Sequence, residues 1–226
     1  MKRIIFYIFS LMILYLGILS TTASSFPNPD PNKLNMHIKN PKLFFEEIKK
    51  KLQQHQTQTI PRNRIVARGK GFVIRASDFV EYKANVKTML QSAGKPFDMR
   101  NGDLLRNMIQ RELLVVYAKE KGIQVTDEEV RRYMHEQRAV WDQSPEAKRF
   151  KDEFIRAKGF ASEDAYWNNP DTLLTYKKHL LIEKLVGHLY ETGELNENKT
   201  FEDLERELYE RERGSIHIDS EILSQL

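Results

Sequence analysis

A chain of 226 residues with 30% charged and 40% hydrophobic side chains can bury a sizeable core in one or two domains. Its 36 basic and 32 acidic residues alternate along the helical stretches, leaving a formal net charge of +4 and no basic stripe of the kind a nucleic-acid partner needs. The absence of cysteine excludes disulfides, thiolate metal sites and a lipid-anchoring cysteine, and it suits an exported protein.

Lys2 and Arg3 precede an apolar run from Ile4 to Leu19, and the small residues of "STTASS" follow it, which is the layout of an export signal. That run is short against the roughly 20 residues of a membrane span, so cleavage near Ala23 is the expected fate of residues 1–23. If retained, residues 4–19 tether the protein to the outer face of the membrane; either fate is extracytoplasmic. Residues 24–61 read as a flexible tether. "SSFPNPDPNKLN" favours an extended backbone, and Phe44, Ile48 and Leu52, four apart, allow one amphipathic helix with some capacity for membrane-surface docking.

The compact part is expected over residues 62–226. Ile65–Ala67 and Phe72–Ile74, set around Gly69 and Gly71, read as a strand pair or small hairpin. Ser77 is the expected cap of a helix ending at Gly94, before Pro96. The next helix, Asp103 to Lys121, spreads apolar residues over half its circumference, as at the centre of a bundle. "AKEKGIQVTDEEV" then closes one helix and opens another: Gly122 supplies a left-handed end, and Thr126 with Glu129 forms a capping box. The following helix is charged, with Val130, Tyr133, Met134, Val140 and Trp141 to pack. "PEAKRFKDEFIRAKG" places Phe150 and Phe154 on its buried side. Ser162 caps a short turn, and Asp171 to Tyr190 forms a long helix whose packing set includes Leu174. Thr200 caps the last amphipathic helix, and Ile216 and Ile218 alternate as in a strand. A strand so short cannot satisfy its backbone alone, so it is expected to pair with one in Ile65–Ile74 and close the domain; a loose tail is the alternative.

The six histidines offer no metal set: His179, Glu183 and His188 are spaced along one helix without a third converging ligand, and they read as solvated surface groups. "ARGKGF" lacks the terminal Lys-Ser/Thr of a phosphate loop. No cofactor, metal or catalytic residue is expected. Large adaptable side chains remain: Met89, Phe97, Met99, Met108, Trp141, Phe150, Phe154, Tyr166 and Trp167. These are the candidate peptide-binding residues, against the plain alternative that they form core.

The stretches "GFVIRASDFVEYK", "LLRNMIQRELLVVYAKEKGIQVTDEEV", "FIRAKGFASEDAYW" and "LLTYKKHLLIEKLV" resemble the N-terminal chaperone domain of the SurA and PrsA-like exported foldases over about residues 64–190. The resemblance implies a mainly α fold with a small β-sheet made by N- and C-terminal strands, and helices that cradle unfolded or extended client polypeptides in an apolar cleft. Such proteins commonly carry a parvulin prolyl isomerase domain between the long helix and the last one. Here only "ETGELNENK" stands at that point. The implied protein is a non-enzymatic holdase; an envelope adaptor with one dedicated partner is the alternative, and a residual isomerase a weaker one.

Overall fold

The computed structural model describes residues 46, 61, 63–92, 95–142 and 145–226. The expected leader, the proline-rich spacer, the amphipathic segment around Phe44, Ile48 and Leu52, and Gly94 lie outside them. In chain order the described elements are β1 (Ile65–Gly69), β2 (Phe72–Arg75), α1 (Ala76–Ser92), α2 (Asn101–Glu120), α3 (Asp127–Trp141), α4 (Pro145–Ala157), α5 (Glu163–Trp167), α6 (Pro170–Glu191), α7 (Phe201–Glu212), β3 (His217–Ile218) and α8 (Ser220–Gln225). Among the described residues the protein is mainly α with one small antiparallel sheet, as expected. Contacts divide it into two compact units. The described part of the strand-bearing unit lies within Thr57–Lys83, Asp98–Val125 and Lys178–Leu226; that of the other lies within Met1–Gln56, Ala84–Phe97 and Thr126–Lys177.

In the strand-bearing unit the order is β2-β1-β3, both pairings antiparallel. Gly71, at φ 81°, makes the β1–β2 turn, and Val116 stands 3.2 Å from where its Cβ would be. The terminal strand pairs with β1 through Ala67↔Ile218 and Arg68↔His217, and Asp219 N–H donates to the Val66 carbonyl at 2.9 Å. The expected closure of the terminal strand on a strand within Ile65–Ile74 is therefore present. One face of the sheet, with Ala67, Phe72 and Ile74, is buried. On the helical side, α2 buries Leu104, Leu105, Ile109, Leu113 and Leu114 and packs along α7, which contributes Leu204 and Leu208.

The α2 end is a Schellman motif: Gly122 at φ 75° donates to Lys119 O and Ile123 N–H to Ala118 O. Thr126 and Glu129 then exchange both bonds of a capping box, and Thr200 does the same with Asp203 at the start of α7. These local signals held, but two others did not. Ser77 does not cap α1: the helix begins at Ala76, and the Asp78 carboxylate accepts from Arg75 N–H instead. After β3 the chain forms α8, which was not expected, capped by the Asp219 carboxylate accepting from Ile222 N–H at 2.9 Å.

In the second unit α3 packs on α4 and α4 on α5. The buried stripe of α4 is Ala147, Lys151 and Ile155, four residues apart, with Phe154 half-buried beside it. A lysine therefore takes the central core position of that helix. Leu174 of α6, expected to pack, is 54% exposed.

Candidate peptide-binding site

Five edge-to-face or tilted ring contacts link side chains from four helices and one loop into a continuous aromatic cluster. Phe154 of α4 and Phe160 of the following loop meet Tyr166 at 5.8 and 5.3 Å; Tyr166 meets Trp167 at 5.1 Å; Trp167 meets Tyr176 of α6 at 5.6 Å; and Tyr176 meets Tyr133 of α3 at 6.1 Å. Such contacts contribute about 0.5–1.5 kcal/mol each beyond their burial. Local folding puts the rings there. Ser162 caps α5 by accepting from Ala165 N–H, which fixes Tyr166 and Trp167 on one short turn. Gly159 at φ 84° ends α4 so that Phe160 turns back, its N–H donating to Ile155 O.

Tyr166, Trp167 and Tyr176 are buried, while Phe154, Phe160 and Tyr133 are half-buried and form the rim. Burial pushes the Tyr166 phenol up to about 12, against the hydrogen bond to Tyr176. The Lys158 ammonium, 5.7 Å from the Phe154 ring centre, is pushed down to about 8 by burial.

A charged frame holds the cluster. Lys151 Nζ donates to Asp142 Oδ1 at 2.5 Å and Glu163 Oε1 at 2.7 Å, with only 2% of its side chain exposed. Glu163 also accepts from Trp167 Nε1 at 3.0 Å and pairs with Arg138 at 2.9 Å. The ring that anchors the cluster and the buried lysine thus share one carboxylate. Burial alone would raise the Glu163 carboxyl, but the bonds from Lys151 and Trp167 and the nearby cations hold it below the usual range.

The nine candidate residues do not form a single set. Phe154, Tyr166 and Trp167 are joined in the cluster, with Trp167 8% and Tyr166 7% exposed. Trp141 and Phe97 are half-buried in the same unit, Phe97 with Lys87 Nζ 5.9 Å from its centre. Met99 and Met108, also half-buried, belong to the strand-bearing unit. The side chains of Met89 and Phe150 lie outside the description. Phe160 and Tyr176 were missed, although an aromatic directly after "AKG" and another early in the long helix were signals in plain view, and Tyr133 was expected to pack but not as part of the site.

The strand-bearing unit holds a polar group of a different kind. Asn107 and Glu205 are buried at 5% and 4% exposure, and Tyr82 at 8%. Burial pushes the Tyr82 phenol up to about 12, while Arg111 and the adjacent Asn107 act against it; the Tyr82 hydroxyl and Asn107 Nδ2 lie close without completing a hydrogen bond. His179, read from sequence as solvated, is half-buried: burial first, then Arg111 and Lys178, pushes its imidazole down to about 3. Arg111 belongs to α2 and Lys178 to α6 itself, so His179 is neutral at ordinary pH, while Glu183 is exposed. No group of three His, Cys, Asp or Glu able to hold a metal occurs among the described residues, and none of the described helices is long and apolar enough to cross a membrane. Comparison with protein-family models, curated proteins and solved structures finds no match for the chain.

Proposed function

We propose that the protein is an exported, non-enzymatic holdase that binds unfolded or extended polypeptides through apolar contacts at the rim of the aromatic cluster. The observation that carries this reading is the arrangement of rings: a buried anchor of Tyr166, Trp167 and Tyr176 backs half-buried Phe154, Phe160 and Tyr133. Aromatic rings bury much area with few rotatable bonds, and that suits loose binding of many sequences. Two further features agree with it: the terminal strand closes on β1, as the resemblance to SurA and PrsA-like foldases implies, and only residues 192–200 separate α6 from α7, where such proteins carry their isomerase.

The test is suppression of aggregation of several unrelated unfolded proteins by the purified protein. Suppression across clients, reduced several-fold in Phe154→Ala and Phe160→Ala while the melting temperature falls only slightly, is the expected result. Capture of one folded partner with no effect on aggregation gives the adaptor reading instead. Turnover of a prolyl peptide by the unaltered protein contradicts the non-enzymatic assignment.

A further inference from the structure

The outer face of the three-stranded sheet carries two arginines that pair with no carboxylate among the described residues. The register sets Arg68 directly opposite Val73 on one side and His217 on the other, so these three side chains share a face, and Arg75 joins them two residues beyond Val73. All four are exposed. Surface cations nearby are matched to carboxylates: Arg64 with Asp219, Lys70 with Glu120, Lys121 with Glu194, Lys178 with Glu112, Lys199 with Glu207 and Arg213 with Glu210. Arg68 and Arg75 enter no such pair among the described residues.

The same sheet has an open edge. β3 is an outer strand, and residues 216–219 are extended, Ile216 at φ −90°, ψ 120° and Asp219 at φ −81°, ψ 93°. Because Asp219 N–H donates to Val66 O and His217 pairs with Arg68, Ile218 occupies a non-hydrogen-bonded position opposite Ala67 and turns its own N–H and C=O away from β1. Its side chain lies on the core-facing side, at the rim, 38% exposed.

We propose that the β3 edge and the Arg68–Arg75–His217 face take an extended acidic polypeptide segment as a fourth strand. The backbone of Ile218 supplies sequence-independent hydrogen bonds. Side chains of the incoming strand alternate: those on the outer face stand beside His217, with Arg68 about 10 Å away at two strand spacings, and favour carboxylates, whereas those on the inner face meet Ile218 and favour aliphatic groups. The site therefore selects chains with alternating acidic and apolar residues. This deepens the chaperone reading and rests on it, since it names a class of extended client and a second place where such a client is held.

The test uses the full chain and three fluorescein-labelled decapeptides: alternating Val and Glu, alternating Val and Lys, and the Val–Glu peptide with alternate amides N-methylated. Anisotropy is expected to show the Val–Glu peptide binding at least ten-fold more tightly than the Val–Lys peptide, a reversed preference in Arg68→Glu/Arg75→Glu, and loss of binding on N-methylation. Equal affinities, Val–Glu binding unchanged in the double variant, or binding undiminished by N-methylation each overturns the proposal. So does binding to phosphatidylglycerol vesicles over phosphatidylcholine vesicles without a peptide preference, which assigns the face to lipid headgroups. If the double variant does not fold, Arg68→Ala carries the test, expected to weaken the Val–Glu peptide at least three-fold. Aggregation suppression separates the two readings. An unaltered protein that suppresses aggregation without discriminating between the peptides removes the strand-addition site alone; absence of suppression by the unaltered protein removes the chaperone reading itself.

Discussion

Lys151 shows how one residue decides whether a helix can be read by pattern. It occupies the middle of the α4 stripe between Ala147 and Ile155, a position that ordinarily calls for leucine, and it is tolerated there because Asp142 and Glu163 reach it. Replacing it with methionine keeps the stem's packing but leaves two carboxylates without their shared cation. Asp142 is 44% exposed and Glu163 retains Arg138, so the expected cost at neutral pH is about 1–3 kcal/mol rather than the larger penalty of a stranded buried charge. The sign of the pH dependence follows from the shifts. Glu163 is held below its ordinary 4.5, so its contribution is present above that value and is lost as pH falls further. Burial would lower Lys151, but its bonds to Asp142 and Glu163 hold it above its ordinary 10.5, so its contribution is present below that value and is lost as pH rises through the shifted one. Denaturant unfolding of the unaltered protein and Lys151→Met is therefore expected to show its full gap at pH 7 and a smaller one at pH 3.5. A gap of equal size at both values contradicts the network.

At the scale of elements, glycines that look alike in sequence have different costs. Gly122 sits at φ 75° with nothing near the place of a Cβ, so Gly122→Ala meets only the left-handed penalty, about 1–2 kcal/mol. Gly69 has an ordinary φ, yet a Cβ there would stand 2.3 Å from the ring of Phe72, which is 6% exposed and cannot swing away cheaply. Gly69→Ala is expected to lower the melting temperature at least as much as Gly122→Ala, and only Gly69→Ala should alter the amide shifts of β1 and β2. The difference marks what sequence could reveal. The Gly122–Thr126 joint was legible because Schellman and capping-box bonds run between residues a few positions apart. The stripe of α4, the partial burial of His179 and the grouping of Tyr133 with Tyr176 were not, because each depends on which neighbour the tertiary fold brings alongside. For α8 the short-range signal existed in Asp219 followed by Ile222 and Leu223, but one and a half turns are too few for a periodicity to stand out.

At the scale of the whole chain, neither unit is a continuous piece of sequence: the strand-bearing unit is assembled from three separate stretches, the last of which supplies β3 and α8. Its sheet is complete only when residues 217–218 reach β1, about 150 positions earlier, which makes the unit slow to close and cooperative once closed. Further bonds tie the same end down: Lys83 Nζ donates to Leu226 O at 2.9 Å, and Asn101 Nδ2 donates to Leu223 O at 3.0 Å. Ile222 and Leu226 are 4% and 8% exposed, and burying two such side chains contributes about 3–6 kcal/mol. That is comparable with the roughly 5–15 kcal/mol of net stability available to a domain, and β1 would lose a pairing partner as well. A chain ending at Gly214 is thus expected to lose hydrogen-exchange protection at Arg68 together with the α2 and α7 core, rather than fray locally. Protection that persists in α2 while only β1 exchanges faster means the C-terminal strand adds to a core that stands without it.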